Sequence, residues 1–254
     1  MSPSSVWIVS RKSPSQARLR LFCFPHAGGG AAIYRLWPDN FPSDINVCRV
    51  QLPGRERRLA EAPFTRLSDL VDALAPVLRP YMDIPFAVFG HSMGAVIGFA
   101  LAHELRTLYG VNPAHLFVAS HRAPQLPQPD PIHQLQDDRL LAALRQRYDG
   151  IPAVAQQNEE LMELILPVLR ADLELCETYV YKDVEPLDCP ISALGGQQDD
   201  EVSCEDLSAW HTHTKAEFSK KVFPGGHLFL QSDPTTLLQY MAVELKRVLG
   251  QIVD

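Results

Sequence analysis

The stretch Phe86-Ala87-Val88-Phe89-Gly90-His91-Ser92-Met93-Gly94-Ala95-Val96-Ile97-Gly98-Phe99 passes without a break from an apolar strand pattern to an apolar helical one. Phe86 to Phe89 are strand formers and the helical pattern starts near Met93, so the chain must turn sharply over Gly90 to Gly94. Glycines two before and two after Ser92 let strand and helix pass closely, where a side chain would block them. Ser92 is thereby expected in strained backbone at the carboxyl edge of a sheet, at the positive end of the helix, with its hydroxyl presented as a nucleophile. Gly-x-Ser-x-Gly fixes only three of five positions and recurs by chance. The strand before it and the helix after it are what give this copy meaning.

Upstream, Arg18 to Phe24 alternates and then becomes wholly apolar, as a strand entering a buried sheet does. It ends in Pro25-His26-Ala27-Gly28-Gly29-Gly30, whose glycines allow close approach of the backbone to a ligand. This loop is expected to supply one N–H of an oxyanion hole, that of Ala27, beside the N–H of Met93. The plainer reading is a glycine-rich turn before a helix from Ala31 to Trp37. Val6 to Val9 reads as an edge strand, and Ile45 to Leu52 as another, closed by Pro53-Gly54. Arg55-Glu56-Arg57-Arg58 follows; three arginines in four positions read as a solvated turn or as a site for a phosphate or an acidic partner surface. Helical spacing of Leu67, Leu70, Val71, Leu74, Val77 and Leu78 predicts a helix over 67–81, bent or shortened by Pro76.

Downstream, a helix runs to about Tyr109 and Ala114 to Ser120 makes the next strand, so the rhythm indicates an α/β protein with a mostly parallel, three-layer sheet. Residues 121–188 break that rhythm. They open on a loop carrying Pro124, Pro127, Pro129 and Pro131 and continue as helices near 137–148 and 158–180, with no convincing strand. The chain thus divides into a core of 1–120 and 189–254 and a helical insertion at 121–188, placed either to be a lid or as a purely structural layer. The rhythm resumes with Cys189 to Gly196 and the loop Gln197 to Val202. A helix capped by Ser203 with Asp206, a strand over 217–223 ending in Pro224-Gly225-Gly226-His227, and a last helix begun by Asp233-Pro234 complete the chain.

A serine hydroxyl needs a base within hydrogen-bond reach and a third group to fix the base's tautomer. The loops after successive strands supply Ser92, then an aspartate, then His227, the chain order of the α/β-hydrolase arrangement. His227 is preferred among the nine histidines because it follows a late strand on a Gly-Gly turn. His26 and His91 are expected to line the site, whereas His211 and His213 sit on a surface-like helix with no further metal ligand at suitable spacing. Asp199 and Asp200 are adjacent and point different ways; Asp199 is preferred, with Asp200 as the alternative.

At 254 residues, 46% apolar and 21% charged, the chain can bury the core of one large α/β domain. A formal net charge of -7 without a basic run argues against nucleic acid. No eighteen apolar residues run together and no signal peptide opens the chain, so no membrane association is expected. Five dispersed cysteines read as reduced thiols of a cytoplasmic protein.

These residues resemble the stand-alone type II thioesterases of non-ribosomal peptide and polyketide synthesis, within the α/β-hydrolase superfamily. The likeness covers nearly the whole chain. It rests on Phe24 to Gly29, Leu52-Pro53-Gly54-Arg55, Gly90 to Ala95, Ser120-His121-Arg122-Ala123-Pro124, Leu166 to Asp172, Gly196 to Val202 and Gly225 to Leu230. His121 departs from the pattern, standing where a glycine or arginine is expected. The resemblance implies Ser92, Asp199 and His227 as triad and Ala27 and Met93 as oxyanion donors. It implies hydrolysis of acyl or aminoacyl thioesters from the phosphopantetheine arm of acyl or peptidyl carrier protein domains, clearing stalled or misprimed modules or releasing product. The phosphopantetheine belongs to the substrate, and no cofactor or metal of the enzyme's own is expected. A monomer is the default. Carrier proteins are usually acidic, which makes Arg55, Arg57 and Arg58 candidates for docking. An acyl-CoA thioesterase or broad carboxylesterase, or a medium-chain acyl-carrier hydrolase of fatty-acid synthesis, would share the same triad.

Overall fold

The computed structural model describes residues 4–10, 17–127, 130–148, 159–232 and 234–251. Its strands are β1 (Ile8–Val9), β2 (Leu19–Phe24), β3 (Ile45–Val50), β4 (Phe86–His91), β5 (His115–Ala119), β6 (Ile191–Gly196) and β7 (Phe218–Phe223). They form one sheet in the order β1-β3-β2-β4-β5-β6-β7, parallel throughout except for β1 on β3. The helices are α1 (Ser4–Trp7), α2 (Leu67–Leu78), α3 (Met93–Tyr109), α4 (Asp137–Tyr148), α5 (Glu159–Glu177), α6 (Cys204–Ser208), α7 (Phe229–Ser232) and α8 (Pro234–Gln251). This is the α/β-hydrolase fold.

The central strands are apolar on both faces because helices cover both. Phe22, Phe24, Val88, Leu116 and Val118 pack with α2 and α3, whereas their neighbours Leu21, Cys23, Phe89 and Phe117 pack with Leu237, Met241 and Leu245 of α8. Successive residues of a strand point to opposite sides, so one continuous apolar run fills two cores. Register then positions the site. Phe24 pairs with Gly90 and His91 with Ala119, so the loop after β2 and the turn after β4 leave the sheet side by side. That is where strand order reverses, and such sheets bind ligands there.

Residues 31–39 form two 3₁₀ turns, Ala31–Tyr34 and Trp37–Asp39, in place of the expected helix. Pro38 has no N–H to donate to the Tyr34 carbonyl and so cannot continue an α-helix, and the spacing of three residues sets Tyr34 and Trp37 against the same ring, Phe89. Helix α2 accommodates Pro76 and stops at Leu78, continuing as a 3₁₀ turn over Arg79–Tyr81. Pro80, which has no N–H to donate to the Pro76 carbonyl one turn back, is the breaker. Ser203 and Asp206 form the expected reciprocal cap. Pro129 and the expected cap Asp233 lie outside the described residues. His213 is a correction: it is buried among Phe99, Tyr181 and Trp210 rather than on a surface helix. Among the described residues no helix is long and apolar enough to cross a membrane.

Candidate active site

Ser92 adopts φ 52°, ψ -115°, a conformation that L-residues avoid and that costs about 1–3 kcal/mol. Its N–H donates to the Ala119 carbonyl at 2.7 Å and its carbonyl accepts from Ala95 N–H at 2.8 Å, which holds the turn between β5 and the first turn of α3. The flanking glycines are needed for space. A Cβ on Gly90 would lie 2.0 Å from the Gly94 carbonyl oxygen, and one on Gly94 would lie 2.2 Å from that of Phe24. Met93 opens α3, so its N–H has no acceptor within the helix.

His227 follows β7 and brings Nε2 to 3.0 Å from Ser92 Oγ. Its Nδ1 lies 3.0 Å from Asp199 Oδ2 and 3.2 Å from Oδ1. Nδ1–H donates to the carboxylate, which leaves Nε2 bare to accept the serine proton. Asp199 Oδ1 also accepts the N–H groups of Glu201 and Val202, at 3.0 and 3.2 Å. The aspartate side chain has no solvent exposure and that of His227 only 5%, so their attraction is little screened. Asp200 is exposed. Adjacent residues on this turn face opposite ways, so Asp199 meets His227 while Asp200 faces solvent.

The His227 backbone is fastened from below, where its carbonyl accepts from Ser120 Oγ at 2.9 Å and from His91 Nε2–H at 2.8 Å. His91 is wholly buried, and desolvation holds its pKa well below the ordinary histidine value. It therefore supports the turn from within as a neutral ring and does not line the site as expected. His26 does line the site. Its Nδ1–H donates to the Ala27 carbonyl at 2.9 Å, its Nε2 accepts from Gln231 at 3.2 Å, and burial lowers its pKa.

Ser92, His227, Ala27 and Met93 open onto a cavity of about 400 Å³. The far wall is mostly apolar, with Leu144 and Tyr148 of α4 and Ile165, Leu169 and Leu173 of α5, and the same helices add Arg147 and Glu177 to the lining. The Tyr148 ring lies 4.8 Å from that of His227, and burial pushes its hydroxyl up to about 12. His121, the departure from the family pattern, also lines this cavity. Sequence reasoning missed Ser120 and Tyr148. A hydroxyl after a strand and an aromatic at a helix end carry no local signal, because their partners lie over a hundred and about eighty positions away.

Two of the three arginines offered for docking are corrections. Arg55 is buried, with Nη1 and Nη2 each 2.7 Å from the carboxylate oxygens of Asp172 on α5. Arg58 is also buried, donating to Gln51 O and Glu61 and lying 3.8 Å over the Trp7 ring. A guanidinium's five donors suit such convergent acceptors, and both side chains are committed inside the fold. Arg57 alone of the three is exposed.

The thioesterase domain family model matches residues 19–242. Gramicidin S biosynthesis protein GrsT of Aneurinibacillus migulanus is 44% identical over 98% of this chain and 98% of its own. Human S-acyl fatty acid synthase thioesterase, medium chain, is 32% identical over 86% of this chain and 83% of its own. The solved structure of the type II thioesterase BorB from the borrelidin biosynthetic cluster superposes with a TM-score of 0.84 at 34% identity, covering 95% of this chain and 97% of that one. A serine on a strained turn, hydrogen-bonded through histidine to a buried carboxylate, is thus set in a chain matched from β2 into α8, and the chain belongs to the thioesterase family, whose members hydrolyse thioesters.

Proposed function

We propose that this chain is an editing thioesterase acting on acyl or aminoacyl groups carried on the phosphopantetheine arm of synthase carrier domains. The observation that carries the reading is the continuous Ser92–His227–Asp199 hydrogen-bond chain at the mouth of an apolar cavity. The likeness to GrsT and BorB supports a biosynthetic-cluster setting.

Ser92 Oγ attacks the thioester carbonyl carbon as His227 Nε2 takes the hydroxyl proton, and Asp199 stabilises the imidazolium that forms. The Ala27 and Met93 N–H groups receive the developing oxyanion. The tetrahedral adduct collapses with cleavage of the C–S bond, and His227 returns its proton to the departing thiolate. Water then attacks the acyl-Ser92 ester with His227 again as base, releasing the acid and restoring the serine. All of these groups come from one chain, which fits a monomer, and the only arm the reaction needs arrives with the substrate. Residues 121–188 serve as the lid, since α4 and α5 form the mostly apolar wall against the acyl chain. Arg57 is left as the carrier-facing cation of its cluster, and five free thiols fit the cytoplasm.

One acyl group presented on a carrier domain, on coenzyme A and as an aryl ester tests this, with Ser92→Ala beside the wild type. The carrier-bound thioester is expected to have by far the highest kcat/KM and the variant to be inactive. Preference for the aryl ester overturns the carrier assignment, and an active Ser92→Ala overturns the nucleophile.

A further inference from the structure

The Leu-Pro-Gly-Arg and Leu-Arg-Ala-Asp segments have no place in the reaction as derived above. In the fold they meet. Asp172 Oδ2 accepts from Arg55 Nη1 at 2.7 Å and also from the backbone N–H of Gly28 at 2.7 Å, while Oδ1 accepts from Arg55 Nη2. Arg55 Nη1 in turn donates to the Gly29 carbonyl at 3.2 Å and Nε to the Pro53 carbonyl at 3.1 Å. Two peptide units of the glycine loop, Ala27–Gly28 and Gly29–Gly30, are therefore held by one ion pair. Gly28 has φ +75° and packs so closely on α5 that a Cβ there would lie 3.1 Å from Leu169 Cδ1. The carboxylate comes from α5, the helix that also walls the acyl cavity.

We propose that the Arg55–Asp172 pair is a positioning device for the reaction: α5 presents an acceptor to Gly28 N–H, which fixes the Ala27–Gly28 peptide and thereby orients the adjoining His26–Ala27 peptide, whose N–H faces the developing oxyanion. The proposal rests on the oxyanion role given to Ala27. Asp172 and Arg55 touch no reacting atom. They act through the loop, and they couple the seating of α5 to the competence of the site. A bare glycine-rich loop with a residue at positive φ has many alternative conformations, and an oxyanion donor displaced by an ångström loses most of its effect.

The test separates the acceptor from the charge pair. Arg55→Met/Asp172→Asn and Arg55→Met/Asp172→Leu both remove the two charges together, which buried pairs tolerate far better than loss of one partner. Only the asparagine keeps an oxygen for Gly28 N–H. The readouts are kcat and KM on a carrier-bound thioester, Tm, and the inhibition constant of an alkylboronic acid, whose tetrahedral serine adduct uses the oxyanion hole. The leucine double variant is expected to lose about 10–100-fold in kcat with KM within threefold, and boronate affinity is expected to fall in parallel. The asparagine double variant is expected to recover most of both. Equal kcat in the two double variants overturns the proposal. If the leucine variant does not fold, Asp172→Glu keeps the charge and moves the acceptor by one methylene. It is expected to show the same loss in kcat without a rise in KM, and wild-type kcat there overturns the proposal equally. Ser92→Ala is run alongside: if it is inactive while the double variants match the wild type, only the positioning role fails, and if it stays active, the underlying reading fails.

Discussion

His227 Nδ1 stands 3.0 Å from Asp199 Oδ2, and the carboxylate that receives it is closed to solvent and held by two further backbone N–H groups. Asp199→Asn presents an amide that cannot take the Nδ1 proton in the same way, so the imidazole is held in the wrong tautomer. A fall in kcat of about four orders of magnitude is expected, with KM little changed. Asp200→Asn is expected to stay within about twofold of the wild type, as exposed substitutions generally do. Steady-state kinetics of the pair checks both; a loss confined to Asp200→Asn reverses the assignment.

Gly94→Ala tests the space argument for the nucleophile turn. Its Cβ would stand 2.2 Å from the Phe24 carbonyl oxygen, and β2 and α3 cannot separate without breaking the sheet. The expected outcome is a loss of about 4 kcal/mol or more in denaturant unfolding, or no folded protein. Gly110→Ala has open space around its Cβ, though φ is +66°. A smaller loss of about 1 kcal/mol is expected there, from backbone strain alone.

Arg58→Ala is expected to destabilise by about 1–3 kcal/mol, since it removes the Trp7 contact and leaves the Gln51 carbonyl and the Glu61 carboxylate without their donor. Its carrier-substrate KM should not move. Arg57→Glu should show the reverse, with unchanged Tm and a KM that rises several-fold at low salt and less at high salt. Urea unfolding and KM at two ionic strengths separate the two arginines.

Stability should fall with acid through the buried histidines. His115 is buried against Ser192 Oγ at 2.8 Å, and desolvation lowers its pKa to about 4. The unfolded chain binds the proton first, near pH 6.5, so stability is complete above that value and is lost as pH falls toward about 4. Between pH 8 and pH 5 this one group accounts for roughly 2 kcal/mol. His103, His121 and His213 are lowered to about 4 as well and act in the same direction. Unfolding free energy against pH should be flatter in His115→Gln than in the wild type over that range, and parallel curves would contradict this.

Local sequence determined the turns and most of the elements. The run Phe86 to Phe99 contains its own strand, close-approach glycines and helix, and Ser203 with Asp206 contains its own cap, because each depends on neighbours within four residues. His227 was legible for the same reason, standing on a Gly-Gly turn after a strand pattern. Where local pattern misled, a neighbouring proline or a long-range partner had overridden it. Pro38 and Pro80 set the ends that helical spacing alone placed differently.

Only tertiary structure decided what depends on two distant segments meeting. Arg55, Glu56, Arg57 and Arg58 read as one charged run, yet burial splits them, sending Arg55 to Asp172 and Arg58 to Trp7 while Arg57 faces solvent. Asp199 was separated from Asp200 by which of two adjacent side chains the turn aims inward, and His91 was drawn under the site to hold the His227 carbonyl. A buried charge must be satisfied by whatever acceptor the fold brings to it, and that partner can lie a hundred residues away. Spacing along the chain therefore identifies which residues are able to do the chemistry, and packing decides which of them are placed to do it.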